Sequence, residues 1–86
     1  MGETVQVEVT RIIELKQVVD ALRSRGLDPK IVEDASRLGI DIPCDDLARA
    51  REDVYAELGT WIAESGSPLI PMKLDDGTIF LRPPTG

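Results

Sequence analysis

The chain has 86 residues, 42% of them hydrophobic, and a formal net charge of −6 from 16 acidic and 10 basic side chains. That is the length of one domain, residues 1–86, with enough apolar side chain for a core, and it is not the composition of a disordered chain. The charge repels nucleic acid and anionic lipid, the lack of histidine removes the commonest general base near neutral pH, and a lone cysteine, Cys44, excludes an intrachain disulfide framework.

The opening MGETVQVEV has neither a basic n-region nor an apolar h-region. No apolar run approaches the roughly 18–20 residues of a membrane span. With one cysteine, the expectation is a cytoplasmic protein.

Val5, Val7 and Val9 alternate with Gln6 and Glu8, the period of a half-buried strand over residues 5–9. An earlier helix start would instead group Val5, Val9 and Ile12. Thr10 suits an N-cap. Ile12, Leu15, Val18, Val19 and Leu22 then form one helical stripe that ends near Arg25, with Gly26 at C′. Ile13 falls off that stripe and is read either as a contact with the neighbouring strand or as a subunit contact.

The segment DPKIVEDASRLG, residues 28–39, carries helix start and stop signals. Asp28 can cap, Pro29 suits the first helical position and Gly39 suits C′. Ile31, Val32, Ala35 and Leu38 would face inward, and IDIP would follow as a short extended link.

A third helix is expected over residues 45–64, ending at Gly66. Leu47, Ala50, Val54, Leu58, Trp61 and Ile62 make its apolar arc. Ala48, Ala56, Gly59 and Ala63 make a face of small residues, which would let another helix approach closely and mark this helix as central. Close contact would account for Gly59, which costs about 1 kcal/mol relative to Ala in a helix interior.

LDDGTIFL, residues 74–81, reads as a hairpin with a two-residue Asp76-Gly77 turn. That turn sets Leu74 opposite Ile79, Lys73 opposite Phe80, Met72 opposite Leu81 and Pro71 opposite Arg82. Directly opposed residues share a face. Ile70, Met72, Leu74, Ile79 and Leu81 would cover the helices, and Pro71, Lys73, Phe80 and Arg82 would face out.

The sum is a single α+β domain: an N-terminal strand, three helices and a C-terminal β-hairpin. It resembles the winged-helix family in element order alone, with its first strand before the first helix rather than after it. The resemblance implies a dimeric DNA-binding regulator whose recognition helix is residues 45–64. That helix carries Asp45, Asp46, Glu52, Asp53, Glu57 and Glu64 against Arg49 and Arg51, the wrong sign for phosphate. Arg23, Arg25, Lys30 and Arg37 would form the nucleic-acid patch of this reading, or else a solvated turn.

Asp46, Asp53, Glu57 and Glu64 fall on one stripe of the third helix, with nothing in the sequence to offset Glu57 or Glu64. They would make either a solubility face, a docking surface for a basic protein, or an imitation of nucleic-acid charge in an inhibitor. Phe80, an exposed aromatic beside Lys73 and Arg82, suits a protein interface. Trp61 is expected in the core.

No histidine is present, Asp45-Asp46 and Asp75-Asp76 lack calcium-loop spacing, and the glycines form no phosphate-cradling loop. No metal, cofactor or catalytic residue is therefore assigned. Cys44 is read as an unreactive, partly buried thiol. The function expected is a small, acidic, non-enzymatic protein-interaction module, itself a homodimer. Nucleic acid and membrane are disfavoured as partners. The DNA-binding regulator and the acidic inhibitor stand as alternatives.

Overall fold

The computed structural model describes residues 2–34 and 37–83. The element order is β1 (Glu3–Val9), α1 (Ile12–Ser24), β2 (Lys30–Asp34), β3 (Arg37–Cys44), α2 (Leu47–Ser65), β4 (Ile70–Lys73) and β5 (Ile79–Arg82). The five strands form one mixed sheet in the order β2-β3-β1-β5-β4. β1 runs antiparallel to β3 and parallel to β5, and each outer pair is an antiparallel hairpin. It follows that α1 joins the parallel strands β1 and β2, and α2 joins the parallel strands β3 and β4. Helices are how such same-direction strands are usually connected.

The N-terminal strand, the first helix, the last helix and the closing hairpin all stand where the sequence puts them. The middle helix does not: residues 28–39 contain β2 and the start of β3, so the fold has two helices rather than three and no winged-helix arrangement. The reason lies in β1. Val5, Val7 and Val9 need a partner on each edge, and β3 supplies one, with Ile42 opposite Val5, Ile40 opposite Val7 and Leu38 opposite Val9. Pairing buries Ile40 and Ile42 almost completely. A 12-residue helix with two β-branched residues side by side is marginal on its own and gives way to that ladder.

Val5, Val7, Val9, Ile40, Ile42, Ile79 and Leu81 share one face of the sheet and form the core with Leu15, Val18, Val19 and Leu22 of α1 and Val54 and Leu58 of α2. Both helices lie on that face, and the opposite face is open. α2 is not a central helix. Ala48, Ala56 and Ala63 are exposed, and a Cβ at Gly59 would meet no atom within 4 Å. The small-residue face therefore receives no second helix.

The caps are mostly as the residue types direct. Asp46 precedes α2 and accepts a hydrogen bond from the Arg49 N–H at 3.3 Å, while Gly66 closes it with φ 69°. Arg11, not Thr10, is the N-cap of α1 and makes no side-chain capping bond. Thr10 instead donates its hydroxyl to the buried carboxylate of Glu14 at 3.3 Å.

The closing hairpin is one residue out of the expected register. Lys73 lies opposite Ile79, Met72 opposite Phe80, Pro71 opposite Leu81 and Ile70 opposite Arg82. The loop has three residues, Asp75, Asp76 and Gly77. The Leu74 N–H bonds the Thr78 carbonyl at 2.8 Å and the Gly77 N–H bonds the Leu74 carbonyl at 3.0 Å. A two-residue type I′ turn would need positive φ at Asp76, and among the described residues only glycines have it, Gly77 at 90°. The Asp76 carboxylate accepts from the Thr78 N–H at 2.9 Å, which suits the longer loop.

Candidate interaction face

A one-residue slip turns a strand over relative to its partner. Ile79 and Leu81 stay in the core, but Ile70, Met72 and Leu74 turn to the open face of the sheet, where they are 46%, 37% and 38% exposed. Phe80 is on the same open face, half-buried, directly opposite Met72. The outer position expected for Phe80 holds, and so does that of Arg82, opposite Ile70. Lys73 is corrected. It lies on the helix-bearing face, its ammonium 4.6 Å from the centre of the Tyr55 ring and paired with Glu52.

Reading across the sheet, one row runs Met72, Phe80, Glu8, Gly39, Val32 through all five strands. The next contains Gln6, Asp41 and Lys30, with Thr78 donating to the Gln6 side chain at 3.5 Å. The open face is thus apolar over β4 and β5 and polar over β1, β3 and β2. Among the described side chains there, Glu8 and Asp41 are matched in number by Lys30 and Arg82. Gly39 leaves the middle of the row low. Sequence reasoning missed Ile70, Met72 and Leu74 because each register makes two apolar pairs, Leu74–Ile79 and Met72–Leu81 in the expected one, Met72–Phe80 and Pro71–Leu81 in the observed one. The signal that separates them is the positive φ a two-residue turn would impose on Asp76.

The other predicted residues are dispersed. Glu57 and Glu64 are not unopposed: Arg25 reaches both, Nε to Glu57 at 2.6 Å and a terminal nitrogen to Glu64 at 3.0 Å. Asp46 is the α2 cap and Asp53 is exposed. Of the proposed nucleic-acid patch, Arg23 is exposed on the last turn of α1, Arg25 is turned to α2, and Lys30 is on β2 at the open sheet face. The side chain of Arg37 lies outside the described residues. These cations do not converge.

A groove of about 660 Å³ runs between the C-terminal ends of the helices, beside Gln17, Ser24, Arg25, Trp61 and Ser65. Of its serines, Ser24 donates to the Ala21 carbonyl at 2.8 Å and Ser65 to the Trp61 carbonyl at 2.7 Å, while Ser67 accepts from the Leu69 N–H at 3.4 Å. Arg25 is held by its two glutamates. Trp61 is only partly buried and packs against the core rather than within it.

Cys44 ends β3 opposite Glu3. Burial and the carboxylates of Glu3, Asp45 and Asp46 push its thiol above the ordinary value, against a hydrogen bond with the Val5 backbone. Among the described residues no three His, Cys, Asp or Glu side chains are grouped to hold a metal ion, and no helix is long and apolar enough to cross a membrane. Comparison with family models, with curated proteins and with solved structures finds no match to this chain.

Proposed function

We propose that this domain is a non-enzymatic protein-interaction module that docks a partner on the open sheet face, with Met72 and Phe80 as its anchors. The observation that carries the reading is the set Ile70, Met72, Leu74 and Phe80 on one side of a two-strand hairpin, with no element among the described residues above them. Contiguous apolar groups of this kind are characteristic of interaction sites, and aromatic and methionine side chains are enriched in them. Glu8 beside Phe80 and Arg82 opposite Ile70 supply a charged rim of both signs. The partner this fits is a protein segment with apolar side chains at its centre and both a cation and a carboxylate at its edge.

Support for the absence of an enzyme is chemical. Histidine is missing from the sequence, burial and nearby carboxylates raise the pKa of the Cys44 thiol, and the Ser24 and Ser65 hydroxyls of the helix groove are bound to helix carbonyls. A reducing, cytoplasmic setting belongs to the same proposal and rests on the single cysteine.

The test is selection of a random peptide display library on the immobilised protein, with counter-selection on a Met72→Lys/Phe80→Ser variant. Peptides with apolar centres that bind the parent at least tenfold better than the variant support the reading. Binders that do not distinguish the two proteins, or no binders, refute it.

A further inference from the structure

Arg82 ends β5 on the open face of the sheet, opposite Ile70. It is partly buried, yet among the described residues it makes no hydrogen bond and no ion pair. One row along the same face, Phe80 lies between Met72 on β4 and Glu8 on β1. An unpartnered cation therefore stands one row away from an aromatic ring and a carboxylate. A guanidinium that has lost part of its water gains from both kinds of group.

The chain carries −6 overall, so two copies repel unless they meet where charge balances. On the helix-bearing side, α2 carries four carboxylates against two arginines. On the open face, the described side chains Glu8 and Asp41 stand against Lys30 and Arg82. Of the two broad faces, the open one opposes a second copy least, and it also holds the exposed apolar groups Ile70, Met72 and Leu74.

We infer that the open face docks on the open face of a second copy of this chain, sheet on sheet. The two-fold axis lies between the sheets, runs across the strands, and passes between the Ile70–Arg82 row and the Met72–Phe80 row. This names the partner of the docking face proposed above and rests on that reading. The axis reverses strand direction, so the sheets stack in the aligned manner of a sandwich, with the helices on both outer sides. Ile70 of each copy then lies over Met72 of the other. Arg82 of each lies over Phe80 of the other, with the Glu8 carboxylate beside that ring, and every contact occurs twice. Leu74, one row further from the axis, falls at the rim. Other two-folds leave charge unmatched. An axis along β5 would set Arg82 on Arg82 and Met72 on Glu8. One between β4 and β5 would stack Met72 on Phe80 but give Arg82 no carboxylate. One across the strands through the Met72–Phe80 row itself would set Glu8 on Glu8.

Sedimentation equilibrium, from micromolar to several hundred micromolar protein, is expected to show a monomer–dimer equilibrium. Met72→Lys should weaken it at least tenfold while circular dichroism stays unchanged. Arg82→Glu and Glu8→Arg should each weaken it at least tenfold, and the two together should restore it, because each new charge then meets its opposite across the axis. Ile31→Lys, at the β2 edge, should leave it intact. A dimer that survives Met72→Lys, one that is lost in Ile31→Lys, or a double variant no better than the single ones overturns the assignment. So does a protein that stays monomeric throughout. Peptides that bind that monomer and not its Met72→Lys/Phe80→Ser variant would then leave the docking face standing with a foreign partner, whereas a monomer that also selects no peptides removes both readings.

Discussion

Arg25, the residue that closes α1, places its guanidinium Nε 2.6 Å from the carboxylate of Glu57 on α2, and the same side chain also reaches Glu64. One cation thus ties the ends of both helices and neutralises part of the acidic stripe. It is mostly buried, whereas the glutamates are half-exposed or more, so the pair works in largely screened surroundings. Arg25→Ala is expected to cost about 1 kcal/mol in urea unfolding, the upper end for a surface pair. Glu57→Gln and Glu64→Gln should each cost less, since the other acid remains. High salt should shrink all three differences. A loss that is unchanged in salt would mean that Arg25 acts through its packed stem instead.

The two glycines of most interest should respond in opposite directions to Ala. At Gly59 a Cβ meets nothing within 4 Å and the backbone is helical, so Gly59→Ala should stabilise by about 0.5–1 kcal/mol through helix propensity. Gly77 has φ 90° and its Cβ would strike the Arg51 guanidinium. Gly77→Ala should therefore destabilise by about 1–2 kcal/mol. Removing Arg51 as well should recover only the steric share. Thermal unfolding of the three variants beside the parent checks both signs.

That contrast shows where the sequence is legible. Helix ends are local chemistry: Asp46 and Gly66 bracket α2, and Gly26 follows α1, all readable from residue type. The core face of β1 is readable for the same reason, as Val5, Val7 and Val9 repeat with the strand period. Residues 28–39 are not, because Asp28-Pro29 and Gly39 give real helix signals and the competing term is the exposed edge of β1, nineteen or more residues away in the chain. Register in the closing hairpin fails for a subtler reason. Each register of β4–β5 yields two apolar pairs, and the decision falls to one dihedral angle at Asp76. The candidate site inherits that difficulty: Phe80 and Arg82 were found, while Ile70, Met72 and Leu74 depended on the slip.

The Cys44 thiol gives a pH prediction. Its value lies above the ordinary thiol range, through burial first and then Glu3, Asp45 and Asp46. A raised folded-state value means that the unfolded chain releases the proton first, so this group's stabilisation is full below the ordinary thiol value and is lost as pH rises through the folded one. Alkylation by iodoacetamide should be slower than for a free cysteine at the same pH, with its rate midpoint moved upward. Glu3→Gln and Asp45→Asn should each move that midpoint down. An unshifted midpoint in the parent would show that the carboxylates do not reach the sulfur.

Ile79 and Phe80 are neighbours on β5 with opposite fates, and the pair tests the register directly. Ile79 is fully buried, opposite Lys73 and beside Val7, whereas Phe80 faces out, opposite Met72 and beside Glu8. In the structure's register a charge at 79 enters the core, which costs several kcal/mol when unpaired. A charge at 80 meets solvent and loses only the contact with Met72. Ile79→Asp should unfold the domain or lower its midpoint drastically, while Phe80→Asp should cost about 1 kcal/mol or less and keep the far-ultraviolet spectrum. Position 72 distinguishes the registers. In the two-residue turn Met72 is opposite Leu81 over the core, and Met72→Asp would be as damaging as Ile79→Asp. In the observed register it should be as mild as Phe80→Asp. Urea midpoints for the three aspartate variants decide the matter, and with it whether an apolar face is open for docking at all.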